Sequence, residues 1–161
     1  MLDAKVINSF LQGINSTCGT IFGKSIKTGK IYVKSAQYGT SDVVIFVGVT
    51  GAYRGQSVIS MSVDTAKELS KRMMVNYGMA PSDELDELAK SALSELSNMI
   101  MGSASQYMAK NEYLVDITPP TLIVGMGLQL SNAQEAQNIC VPLEIDGYSL
   151  EIAVFLKENK K

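Results

Sequence analysis

The sequence predicts an α+β fold: two pseudo-duplicated helix-strand-hairpin units sharing one mainly antiparallel sheet of about six strands, packed by long helices. Three observations predict it. Residues 2–62 and 83–156 pass through one order of long helical period, short strand and two-stranded hairpin. Hydrophobic residues make up 46% and charged residues 19% of the chain, which supplies a core and argues against disorder. The 161 residues match one domain over 1–161, since a domain averages roughly 150 residues.

The elements follow in order. Leu2, Val6, Ile7, Phe10, Leu11, Ile14 and Ile21 recur near helical spacing, so 2–22 reads as an amphipathic helix stopped by Gly23. Segments 30–35, 42–50 and 54–62 are β-branched or alternating and read as strands, the last two joined at Gly51-Ala52-Tyr53. Helical spacing returns over 63–77 and closes at Gly78 and Pro81. Ser82, followed by Asp83, Glu84, Asp86 and Glu87, reads as the capped start of the longest helix, running to about Lys110. Pro119-Pro120 forces a break. Strands are then expected over 121–126, 138–145 and 149–156, with Asp146-Gly147 as a type I′ hairpin turn and Pro142 favouring an edge position or a bulge.

Charge and composition exclude several functions. Fourteen Lys+Arg against sixteen Asp+Glu leave a net charge of −2 without a basic block, a poor basis for binding nucleic acid. The absence of histidine removes Ser-His-Asp and Cys-His catalysis and every His-containing zinc site. Cys18 and Cys140 match no metal spacing and read as buried free thiols of a reducing compartment. No signal peptide and no apolar run of ~20 residues is present, so no membrane partner and a cytoplasmic location are expected. Gly19 to Ser25 approaches a phosphate loop, but Cys18 stands where its first glycine belongs and a helix period precedes it, so it reads as a helix end. The four acids after Ser82 spread around one helical turn and read as a solvated surface.

The stretch 91–109 carries Glu95 as its single charge. On a helical projection Leu85, Ala89, Ala92, Leu96, Ile100, Ser103 and Tyr107 share the side expected to face the core. Ser91, Glu95, Asn98 and Gly102 form one row bordering the opposite face, with Glu95 and Asn98 side by side. Small side chains let another backbone approach. Spacing alone leaves open whether that backbone belongs to the same molecule or to a partner.

Residues 91–102, SALSELSNMIMG, resemble the Ser/Asp-x-x-x-Glu-x-x-Asn signature, followed by small residues, of the CheC/CheX/FliY family of bacterial chemotaxis phosphatases. Ser91, Glu95, Asn98 and Gly102 all fall at the family's positions, and the pseudo-duplicated order is similar as well. The resemblance implies a phosphatase acting on the aspartyl phosphate of a CheY-type response regulator. It implies that Glu95 engages a lysine of the receiver's active site while Asn98 orients the attacking water, with Ser91, Ser94, Gly102 and Ser105 as partner contacts. It further implies that this chain holds no cofactor or metal and that Mg²⁺ resides in the phosphorylated partner. The first-half helix offers Asn8, Gln12 and Asn15 but no Glu, so one active helix is expected, as in CheX-like chains. Members of that kind are homodimers joined through sheet edges, so the resemblance also implies a homodimer, to which the edge-like Pro142 strand adds weak support. The alternative is a non-catalytic binding module for a receiver or a flagellar switch component.

Overall fold

The structure, a computed structural model, describes residues 2–23, 26–35, 37–131 and 136–160. Helix α1 (Ala4–Phe22) is capped by the Asp3 side chain and ends at Gly23, whose φ of 69° suits a residue without Cβ. The short strands β1 (Ile26–Thr28) and β2 (Gln37–Gly39) precede the hairpin β3 (Val43–Gly51) and β4 (Tyr53–Met61). Helices α2 (Val63–Asn76) and α3 (Glu87–Lys110) follow, then β5 (Val115–Ile117), β6 (Thr121–Val124), β7 (Gln129–Ser131), β8 (Gln137–Ile145) and β9 (Tyr148–Glu158).

The main sheet has seven strands in the order β1-β8-β9-β4-β3-β5, with β6 also paired to β3, and every pairing is antiparallel. The two hairpins meet at its centre through β4 and β9. Each hairpin's outer strand is then flanked by short strands from the other half: β1 lies on β8, and β5 and β6 lie on β3. The halves are therefore interlocked and share one sheet.

Alternation along the strands gives the sheet two apolar faces. Val43, Ile45, Val47, Ile59, Val141, Ile152 and Val154 belong to the main core with all three helices. Val44, Val58, Cys140, Ala153 and Phe155 form a smaller cluster on the other face, under Tyr38 and Leu130 of the β2-β7 ribbon. Tyr38 stacks on Phe155 with ring centroids 5.5 Å apart. Both cysteines are buried and free; burial pushes the Cys18 thiol up to about 12 and the Cys140 thiol up to about 11.

Three expectations are corrected. Residues 30–35 do not form a strand: after β1 the chain leaves the ladder and touches β8 again through Tyr32, opposite Cys140. Pro142 supplies the reason, because it accepts from the Gly29 N–H at 2.8 Å and has no N–H to return on that side. Its strand is second from the edge, with the missing donor facing the edge segment. The long helix begins at Glu87, because the Asp86 carboxylate accepts from the Ala89 N–H at 2.8 Å and that bond holds its carboxyl below the usual range. Ser82 instead closes a local turn on the Glu84 N–H, and Asp83 pairs with Lys71 at 2.6 Å.

The core face of α3 is the third. Its buried residues are Ala89, Leu93, Leu96, Ser97, Ile100, Met101, Ala104 and Met108, while Ala92, Ser103 and Tyr107 are half-buried. The buried arc is turned by about 70° from the one expected. The turn follows from α1, which crosses α3 where a Cβ on Gly13 would lie 2.6 Å from the Ala104 nitrogen. Thr17 of α1 also donates to the Met99 carbonyl at 3.4 Å. With α1 on one side and the sheet beneath, α3 buries a wider and differently centred stripe than its own periodicity indicates. The type I′ reading of Asp146-Gly147 holds, both residues having positive φ, 49° and 86°.

Candidate functional site

With Leu93, Leu96, Ile100 and Ala104 turned inward, heptad-related positions on the far side of α3 must face outward. Ser91 and Glu95 are exposed; Ser94, Asn98, Gly102 and Ser105 are half-buried. Among the described residues neither the Glu95 carboxylate nor the Asn98 amide has a hydrogen-bond or ion-pair partner. Both groups are thus open to an external ligand, and no described residue pairs with either. Ser97, the immediate neighbour of Asn98, is fully buried, so the helix separates its core and surface residues at this point.

Ser91, Ser94, Glu95 and Asn98 line one side of a groove of about 630 Å³, together with Glu87 and Lys90. Lys90 pairs with Glu87 at 3.1 Å, one turn below, and so does not neutralise Glu95. Ile117, Thr118, Pro119, Pro120 and Leu122 form the opposite wall. That wall is set by β3: β5 pairs with Val49–Gly51 and β6 with Val43–Phe46, while Thr118 bridges the gap between them. The Thr118 Oγ1 accepts from the Gly48 N–H at 2.8 Å and the Thr118 N–H donates to the Gly48 carbonyl at 3.0 Å. Gly48 leaves room for this contact, since a Cβ there would lie 2.9 Å from that hydroxyl oxygen and force the Thr118 side chain to shift. The two prolines then fix a stiff lip facing α3.

The sequence placed Pro119-Pro120 only as a break. Nothing in its local spacing could bring the lip to Asn98, since the contact depends on β3 receiving both short strands. Gly102 and Ser105 continue the ridge beyond the groove; a Cβ on Gly102 would meet nothing within 4 Å, and the Ser105 hydroxyl donates to the Gly102 carbonyl at 2.7 Å. The small-residue stretch therefore serves two faces. Ala104 receives α1, whereas Gly102 leaves a flat surface that no described residue fills.

A neutral amide both donates and accepts hydrogen bonds, and a carboxylate one turn away binds a cation. Such a pair can position a polar ligand, but it holds no nucleophile or acid of its own. The sequence profile described as chemotaxis phosphatase CheX matches residues 43–144, which include the ridge and both hairpin strands of the first half. The chain belongs to the CheX family.

A Thermotoga maritima protein named CheY-P phosphatase CheX is 33% identical over 131 residues, 81% of this chain and 83% of the relative. Among solved structures, a CheC-like superfamily protein from Shewanella sp. PV-4 superposes with a TM-score of 0.84 at 21% identity, over 97% of this chain and 99% of that one. Borrelia burgdorferi CheX, solved as a complex with CheY, BeF₃ and Mg²⁺, superposes with a TM-score of 0.81 at 26% identity, over 95% of this chain and 98% of that one. Among the described residues no helix is long and apolar enough to cross a membrane.

Proposed function

We propose that this CheX-family chain is a protein phosphatase that accelerates hydrolysis of the aspartyl phosphate of a CheY-type response regulator in the cytoplasm. The observation that carries the reading is the unpartnered Glu95–Asn98 pair, projecting from an otherwise uncharged ridge of α3. The name of the Thermotoga maritima relative and the CheY complex of the Borrelia burgdorferi relative support it. The partner brings the phosphoaspartate, an active-site lysine and Mg²⁺. This chain brings position: Glu95 docks on the lysine, and Asn98 enters the pocket and holds a water in line with the phosphorus. Ser91, Ser94, Gly102 and Ser105 let the receiver's backbone close on the helix.

Hydrolysis of an acyl phosphate requires little covalent help, because most of the barrier is reduced by alignment and by charge stabilisation. A chain without histidine is therefore equipped for it. The direct test measures loss of phosphate from a phosphorylated CheY-type receiver of the same cell at increasing amounts of this protein. A decay rate that rises and saturates supports the phosphatase. Saturable binding with an unchanged decay rate would instead identify a binding module.

The same reading carries a homodimer joined through sheet edges. The main sheet ends at β1 on one side and at β5 and β6 on the other, and β6 leaves Ile123 and Val124 exposed. Light scattering at micromolar concentration should return about twice the 17.4 kDa chain mass; a mass equal to one chain would contradict the dimer.

A further inference from the structure

The other flank of the ridge holds a second groove of a different character. It measures about 290 Å³, with Met74 and Ala92 as its floor and Tyr77, Met79 and Leu88 as its rim, and it ends against Ser91 and Glu95. Tyr77, Met79 and Leu88 are 55%, 38% and 48% exposed. Single exposed apolar residues are ordinary; three around one apolar floor make a patch of the kind that marks an interface.

We propose that this groove seats an apolar side chain of the same phosphorylated receiver, from the surface bordering its acyl-phosphate pocket, and so selects which receiver is accepted. The inference rests on the phosphatase reading above and adds the recognition element to it. Leu88, Ala92 and Glu95 follow one another at four and three residues along one stripe of α3, so Leu88 lies about 10.5 Å along the helix from Glu95. A partner of ordinary interface size covers roughly 800 Å² per side, a disc of about 16 Å radius. A receiver standing on Glu95 therefore covers Leu88, Met79 and Tyr77, and any part of the groove it leaves unfilled stays as trapped apolar surface.

Energetics point the same way. An exposed carboxylate–lysine pair contributes little to affinity, whereas a desolvated apolar anchor carries much of it. The groove is also preformed, which limits the ordering cost of binding. Gly78, at φ 71°, reverses the chain after α2, the Met79 N–H donates to the Met74 carbonyl at 2.9 Å, and the Tyr77 hydroxyl donates to the Met99 sulfur at 3.4 Å. Across the ridge the other groove is mixed, with the charged and polar Glu87, Lys90, Ser94 and Thr118 beside Ile117, Pro119, Pro120 and Leu122. Unlike flanks admit a receiver in one orientation.

The test is steady-state dephosphorylation by Leu88→Asp and Met79→Asp, with Leu114→Asp, 70% exposed and outside both grooves, as the control. The groove variants should raise the apparent KM on the order of tenfold or more and leave kcat at saturation within about twofold; the control should match the parent. Affinity for a beryllofluoride-loaded receiver, measured in an Asn98→Ala background, should fall by the same factor, and this readout stands even where catalysis is absent. Leu88→Ala removes apolar surface without adding charge and covers the case in which an acid unfolds the helix start; it should weaken binding several-fold. Unchanged KM and affinity in all groove variants would overturn the proposal, as would a loss confined to kcat. A parent protein that binds the receiver without accelerating its decay would overturn the phosphatase reading and leave the docking claim to the affinity measurement.

Discussion

Asn98→Ala is expected to lower the saturating rate of receiver dephosphorylation by on the order of 10²-fold or more, the usual consequence of removing one preorganised polar contact at a reacting centre. The fold should not register the change. Asn98 is half-buried and, among the described residues, bonded to nothing, so its removal leaves no orphaned partner and the melting temperature should stay near that of the parent. KM should also remain close to the parent value, because Glu95 and the rest of the ridge are untouched. Glu95→Ala should show the complementary pattern, with weakened docking and a smaller effect at saturation. If Asn98→Ala turns over receiver as fast as the parent, the amide has no role in positioning water.

Gly13→Ala is expected to destabilise the protein, against the rule for helix interiors. In an open helix the change would gain about 1 kcal/mol from propensity. Here the added Cβ would stand 2.6 Å from the Ala104 nitrogen, 2.8 Å from its Cα and 2.9 Å from its Cβ, all on the backbone or at its root. No flexible side chain can move aside, so α1 and α3 must separate, and overpacking of this kind costs about 1–3 kcal/mol. The net expectation is a loss of up to about 2 kcal/mol and a melting temperature lower by up to roughly 8 °C, with Gly13→Val lower still. Activity should fall too, since α3 carries Glu95 and Asn98 and the facing lip is anchored to β3. A Gly13→Ala protein melting above the parent would show that helix propensity outweighs the contact.

Much of this was legible in the chain. Alternation located β3, β4, β8 and β9, and Asp146-Gly147 fixed the second hairpin because both residues must take positive φ. The ridge Ser91, Glu95, Asn98 and Gly102 was readable as well, because the 3.6-residue period holds wherever the helix is regular. What escaped was whatever depends on a distant segment. Pro142 decides that Tyr32 makes a single bridge in place of a strand, at a separation of more than a hundred residues. Gly13 rotates the buried arc of α3 by crossing at Ala104, and the Thr118–Pro120 lip reaches the ridge only because β3 accepts two short strands on one edge. Of the two candidate readings of the small-residue stretch, packing within the molecule holds at Ala104, where α1 crosses, and the partner-facing reading of Gly102 and Ser105 belongs to the proposed function.

The most direct measurement is a structure of this protein bound to a CheY-type receiver loaded with beryllofluoride and Mg²⁺. The Asn98 carboxamide should lie inside the receiver's pocket, within hydrogen-bond reach of a water aligned with the aspartyl–beryllium bond, and Glu95 should rest on the receiver's lysine. A complex in which α3 lies away from the acyl-phosphate pocket, or in which Asn98 faces solvent while the receiver is held elsewhere, would contradict that placement.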